Sequence, residues 1–199
     1  MTITKAFYQM LDDLAVLFDV ENTHGGNAAA DALRSITSKS HLPLPRGHDI
    51  LPAVEKQALD IDPLPVCEHI EHAMPLIDWH HSGLADGRIP PEISHRLATV
   101  ELIGPDGMIF HDAVRVGLFM QSANVDYVTR EHAAEETFIM LCGTGMWSCN
   151  DEPLQTQKSG DYIHHPSMAP HASVTYGDPF IAAWRWTGEI GYDKYSLTG

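Results

Sequence analysis

Apolar residues near the start of the chain recur at steps of three and four. Phe7, Leu11, Leu14 and Phe18 share one face while Asp12, Asp13 and Asp19 fall between them, which predicts an amphipathic helix over residues 3–20. A second helix is expected from Asn27, a residue suited to an N-cap, to Ser38, ahead of the breaker-rich HLPLPRGHD at 41–49. Residues 49–78 predict short helices interrupted by Pro63, Pro65 and Pro75, and 78–92 (DWHHSGLADGRIPPE) reads as a loop. From about Ala98 the texture changes. The runs ATVELIG, AVRVGLFMQ, ETFIMLCGTGMWSC, GDYIHH, HASVTYG and FIAAWRWTG are short, rich in β-branched and aromatic residues, and separated by Gly, Pro, Asp or Asn. The expected fold is mainly β: a jelly-roll barrel at 98–199 with an α-helical N-terminal extension at 1–97.

A chain of 199 residues supports one well-buried core with an appendage, and 44% hydrophobic with 20% charged residues is an ordinary composition for a folded protein. The absence of any apolar run near twenty residues argues against a helical membrane span. Acids inside the first apolar stretch argue against a signal peptide, so the expected compartment is cytoplasmic. A formal charge of −15, with only 12 Lys and Arg, repels phosphate backbones and anionic lipid. Nucleic acid and membranes are therefore poor partners, and a small molecule is the expected one. Cys67, Cys142 and Cys149 form no CxxC pair; Cys142 and Cys149 are expected to flank a hairpin as free thiols.

The chemistry concentrates between Tyr127 and His171. If REHAAEETFIM is one strand, residues 132, 134, 136, 138 and 140 share a face, so His132 and Glu136 point together into an apolar wall while Glu135 points out. A buried carboxylate requires a metal ion or a basic group nearby. Imidazole and carboxylate ligands suit Zn first, with Fe, Mn and Ni also possible, and three protein ligands leave positions open for substrate. His164 and His165 face opposite ways; His165 is the candidate for supporting a ligand or touching substrate. His80 and His81, with Trp79, are candidates for a lid. His69 and His72 in EHIEH read as solvated helix surface rather than ligands, and His111 as surface.

Two spacings resemble the cupin motifs. His132, Glu136 and Gly143 fit the first, and Gly160, Pro166 and His171 fit the second, over a span of roughly 98 to 190. The resemblance implies a barrel holding one divalent metal ion on His132, Glu136 and His171, and a possible homodimer formed through barrel edges. The first motif of most cupins opens with HxH, and Arg130 occupies its first position. Either three ligands suffice or Tyr127 is recruited; alternatively Arg130 faces inward and binds a substrate carboxylate, as a planar fork favours.

The helices before a short cupin, the Tyr five residues ahead of the metal His, and the tail WRWTGE resemble the cupin-type dimethylsulfoniopropionate lyases. That resemblance implies Tyr127 as an active-site tyrosine. It also implies a Tyr two residues after the metal-binding Glu, acting as ligand and base, where this chain has Phe138. The implied reaction removes the proton α to the carboxylate and expels the sulfonium from the β-carbon, giving dimethyl sulfide and acrylate with the metal as Lewis acid. Trp147, Tyr162, Trp184 and Trp186 are the aromatics available to the sulfonium, with Trp184 and Tyr162 taken as substrate contacts. Phe138 leaves three readings: Tyr127 takes the base role, the lyase reaction is lost, or Phe was introduced to trap a substrate complex. The competing functions are another metal-dependent cupin reaction, an oxygenase or isomerase, and non-catalytic binding of a small ligand.

Overall fold

The computed structural model describes residues 1–36, 51–81 and 89–197. Helix α1 (Ile3–Val20) buries the expected Phe7, Leu11, Leu14 and Phe18 together with Met10 and Ala15. Its N-cap is Thr2, whose hydroxyl accepts from Lys5 N. Helix α2 (His24–Ser35) starts earlier than expected, because Thr23 rather than Asn27 is the cap: the Thr23 hydroxyl accepts from Gly26 N at 2.9 Å. Asn27 lies inside the helix, and the expected end at Ser38 lies outside the described residues, as does the 41–49 segment. Helices α3 (Pro52–Leu59) and α4 (Val66–Ala73), a 3₁₀ turn at Met74–Leu76 and the short α5 (Pro91–Ser94) follow the proline pattern.

Ten strands follow: β1 (Leu97–Gly104), β2 (Ile109–Phe110), β3 (Arg115–Gln121), β4 (Val125–Glu131), β5 (Ala134–Cys149), β6 (Gln155–Lys158), β7 (Tyr162–His165), β8 (His171–Thr175), β9 (Phe180–Gly188) and β10 (Ser196–Leu197). They form a jelly-roll-like pair of layers sharing one long strand. The first half of β5 pairs with β9 and β7, and beyond β9 come β3, β1 and β2; its second half pairs with β6 and β8, and beyond β8 come β4 and β10. The changeover falls at Gly143, where φ is +81° and a Cβ would lie 2.0 Å from the Pro179 carbonyl oxygen, so only glycine fits.

The sequence reading of 130–140 as one strand is corrected here. The chain leaves β4 in one layer and enters β5 in the other, and His132 and Ala133 form the crossing between them. Cys142 and Cys149 also do not face each other across a hairpin, since both lie on β5; all three cysteines are free thiols, and Cys142 packs against Cys67 of α4.

The layer containing β1, β3, β9 and the first half of β5 is buried on both faces. Its inner face joins Phe119, Phe138, Trp184 and Trp186, while Val116, Leu118, Ile139 and Ile181 on the outer face form one cluster with the α1, α2 and α4 side chains. Double burial accounts for β3 and β9 being apolar almost throughout rather than alternating. Each large side chain that α1 places there contributes about 1.5–3 kcal/mol of burial, so the helices cover a face the barrel could not leave in water.

One charge is fixed beneath that cover. Arg185 of β9 is wholly buried; its Nε donates to Glu21 at 2.9 Å, Nη2 to Glu135 at 2.9 Å and Nη1 to Thr187 at 2.8 Å. Gly25 makes room for it, since a Cβ there would lie 2.4 Å from Arg185 Nη1. Burial opposes ionisation of Glu21, but the Arg185 guanidinium outweighs it and holds the carboxyl below its usual range. This contribution is therefore complete above the unfolded-state value of about 4.3 and is lost as pH falls through the lower folded value. Glu21→Gln should destabilise the fold by about 3–5 kcal/mol at neutral pH, measured by urea unfolding, with the difference from the parent chain shrinking in acid. A loss below about 0.5 kcal/mol would show that this ion pair does not hold the helices to the barrel.

Candidate metal centre and cavity

Glu136 is set by its neighbours in register. On β5 it lies opposite His165 of β7 on one side and Trp186 of β9 on the other. Both donate to it: Trp186 Nε1 to Oε1 at 2.6 Å and His165 Nδ1 to Oε2 at 3.1 Å. His132, at the crossing between the layers, and His171, the first residue of β8, bring Nε2 to within 3.3 Å of the same Oε2. All four side chains about this carboxylate are buried.

The hydrogen bonds behind the two rings fix their tautomers. His132 Nδ1 faces the Ala134 carbonyl oxygen at 3.0 Å and His171 Nδ1 faces that of Ala169 at 2.9 Å. A carbonyl only accepts, so each Nδ1 carries the hydrogen and, in a neutral ring, Nε2 presents a lone pair. Burial, aided by the nearby charge of Arg130, pushes His171 down to about 3, so that ring is neutral. Its buried Nε2 has no hydrogen-bond partner among the described residues and points its lone pair at a carboxylate oxygen. Groups converging in this way could hold a metal ion. The 3.3 Å separations match the edge of about 3.3 Å in a tetrahedral site with bonds of 2.0–2.1 Å. His132, Glu136 and His171 form the one candidate metal cluster among the described residues.

Beside this cluster is a cavity of about 340 Å³, within the range of small-ligand sites. Phe119, Tyr127, Phe138, Trp184, Trp186, Tyr192 and Tyr195 supply aromatic walls, and Arg130, His132 and Glu136 line it as well. Tyr127 donates to or accepts from the Tyr195 hydroxyl at 2.9 Å. Strand β10 seats this tail by pairing Ser196 and Leu197 with Glu131 and Arg130. Glu101 and Asp106, which also line the cavity, both accept from Arg115 Nη1, at 2.7 and 2.8 Å.

Most of the residues expected from sequence meet here. Tyr127, Arg130, Phe138 and Trp184 border the cavity, and Glu135 points outward to Arg185 as its parity required. His165 supports Glu136, with its ring stacked 4.0 Å from that of His171, while His164 is exposed and contacts Thr137. Tyr162 is a correction. Its hydroxyl donates to the Leu17 carbonyl at 2.7 Å, so it anchors α1 on the outer face and does not reach the cavity. Trp147 packs behind Phe138 at 4.7 Å between ring centroids. His80 borders the cavity, but Trp79 is core, with Nε1 on Met74 Sδ, and 82–88 lie outside the described residues. His69 binds Asp13 at 2.6 Å and His72 its own helix at Glu68, which removes both from any metal cluster. Sequence reasoning missed Tyr192 and Tyr195, because the tail has neither periodicity nor motif. It listed Trp186 only as a spare aromatic, and strand pairing alone reveals its bond to Glu136.

With the geometry in place, comparison with known proteins is informative. The family model for dimethylsulfoniopropionate lyase matches residues 51–182, well over half of the chain. Dimethylsulfoniopropionate lyase DddQ of Ruegeria pomeroyi is 31% identical over 103 residues, which are 52% of this chain and 51% of that protein. The chain thus spans about half the length of the curated relative it matches. The crystal structure of that DddQ superposes with a TM-score of 0.70 at 22% identity over 96% of each chain. A structure from a report on the DMSP lyases RdDddP and RnDddQII gives 0.71 at 21% identity, covering 98% of this chain and 100% of that one. These two superpositions establish a shared fold.

Trp186→Phe keeps the aromatic wall and removes the donor to Glu136 Oε1. Zinc affinity, measured by chelator competition, should fall about 10- to 100-fold with the fold intact; unchanged affinity would mean that Trp186 does not orient the carboxylate.

Proposed function

The chain belongs to the dimethylsulfoniopropionate lyase family, and we propose that it cleaves dimethylsulfoniopropionate to dimethyl sulfide and acrylate at the His132, Glu136 and His171 site. The observation that carries this reading is the meeting of a cation-seeking cluster with an aromatic cavity that holds a hydroxyl. A divalent ion on those three residues would act as Lewis acid on the substrate carboxylate and make the adjacent methylene more acidic. Zinc is the first ion to test, with Fe, Mn and Ni beside it.

The chain's own groups divide the remaining work. Trp184, Trp186 and Tyr192 offer ring faces to the sulfonium, which needs no counter-anion when aromatic faces surround it. Phe138 occupies the wall without a hydroxyl, so the base falls to Tyr127, which lines the same cavity. Acting as base, the Tyr127 oxygen accepts the α-proton, the C–H electron pair becomes the new double bond, and the C–S pair leaves with dimethyl sulfide. The Arg130 guanidinium packs over the Tyr127 ring, 4.1 Å from its centre. The Tyr195 hydroxyl, 2.9 Å away, is a donor to that oxygen.

Phe138 also supports a second reading, in which the same site serves a different metal-dependent reaction or binds a ligand without turnover. Headspace dimethyl sulfide from purified protein given dimethylsulfoniopropionate, with each metal and without oxygen, separates the two. The parent chain should release sulfide anaerobically, Tyr127→Phe should lose at least about 100-fold in kcat, and Phe138→Tyr should raise turnover. No sulfide from the parent or from Phe138→Tyr, both folded and metal-loaded, would transfer the assignment to the second reading.

A further inference from the structure

Arg130 is the buried guanidinium of this site that stands apart from the others. The residue is 3% exposed, and neither terminal nitrogen has a hydrogen-bond partner among the described residues. Its neighbours are ring faces: Tyr127 at 4.1 Å and Trp147 at 5.9 Å from the guanidinium carbon. Strand pairing fixes its place, since Arg130 on β4 lies opposite His171 on β8 and β10 closes over it through Leu197. The contrast with the other buried arginines is informative. Arg115 and Arg185 are each saturated by carboxylates and hydroxyls. Arg130 faces a cavity whose near carboxylate, Glu136, is already held by Trp186 and His165.

Burying a guanidinium without a counter-charge is costly, and the cost is recovered when an anion arrives. Two free terminal nitrogens form the fork that a carboxylate fits with two parallel hydrogen bonds. The cavity's aromatic walls and modest volume limit the occupant to a short acid.

We infer that Arg130 is the receptor for the substrate's carboxylate and that it holds this group whether or not metal is bound. The site then recognises short monocarboxylates as a class, so it retains the product acrylate as well as admitting the substrate. Arg130 stands where most cupins place another metal-binding imidazole, so this chain has a ligand-binding charge in place of a metal ligand. The inference rests on the lyase reading for the identity of the acid and on the geometry of Arg130 alone for the carboxylate.

The test is calorimetric titration of the full chain, metal-loaded and metal-stripped, with acrylate, propionate and the neutral isostere propionamide. Circular dichroism confirms that each sample is folded. Both acids should bind both forms, and propionamide should bind neither. Arg130→Gln should weaken acrylate binding by about 10- to 100-fold, and Arg130→Lys, which keeps the charge and loses the fork, should fall between. Equal affinity for acrylate and propionamide in stripped protein, or equal affinity of the parent and Arg130→Gln, would overturn the inference. Acrylate binding that depends on Arg130 in a protein releasing no dimethyl sulfide would leave this receptor standing and remove the lyase reading. Dimethyl sulfide release with acrylate affinity indifferent to Arg130 would do the reverse.

Discussion

Everything in the barrel interior is arranged around one buried carboxylate. Glu136 is 4% exposed, and an ion so placed survives only if its oxygens are surrounded by donors or cations. Two neighbouring strands each provide a donor, Trp186 and His165, at the register position opposite Glu136. These account for one side of the carboxylate. The other side faces His132 and His171, whose Nδ1 hydrogens are committed to backbone carbonyls. Those two rings therefore cannot both serve Glu136 as neutral donors, and with Glu136 they form a cluster that could hold a metal ion.

This geometry depends on strands that cannot slide, and the helical segment supplies that constraint. A one-residue slip of β9 would turn Trp186 away from Glu136 and bring Arg185 into the barrel. Arg185 is held on the outer face by Glu21 at the end of α1, by Glu135 and by Thr187. Its Glu21 and Glu135 partners sit respectively on the helical cover and on the residue next to Glu136. The ion pair under the helices and the carboxylate inside the barrel are therefore opposite faces of one register.

Much of this is legible in the sequence, for reasons particular to each element. The α1 face was legible because a helix with one buried side must repeat every three to four residues. The approach of His132, Glu136 and His171 is legible because glycine and proline fix the spacing of the turns between them, as at Gly143 and Pro166. His132 faces Glu136 because the chain crosses between layers there, not because it shares a strand with it. The α2 start was missed because Thr23 and Asn27 are both capable caps, and only packing against Arg185 chooses between them. Tyr162 was misplaced because an aromatic in a short strand gives no sign of which side carries the helices. Tyr195 left no local signal at all, since its position depends on the two-residue strand that seats it against β4.

Positions 138 and 130 are best understood together. At 138 the chain has Phe where the resemblance to the cupin-type lyases implies Tyr; at 130 it has Arg where most cupins have the first His of HxH. The first removes an oxygen that would lie near the metal site, and the second adds positive charge to the same space. Glu136 is the carboxylate nearest to both, and its donors are already assigned. Glu101 and Asp106 line the same cavity and share the single guanidinium of Arg115, so two anions face one cation there. Arg130, by contrast, presents a buried positive charge whose terminal nitrogens have no hydrogen-bond partner among the described residues. The lining therefore carries charge of both signs, and a ligand entering it is sorted by charge as well as by shape.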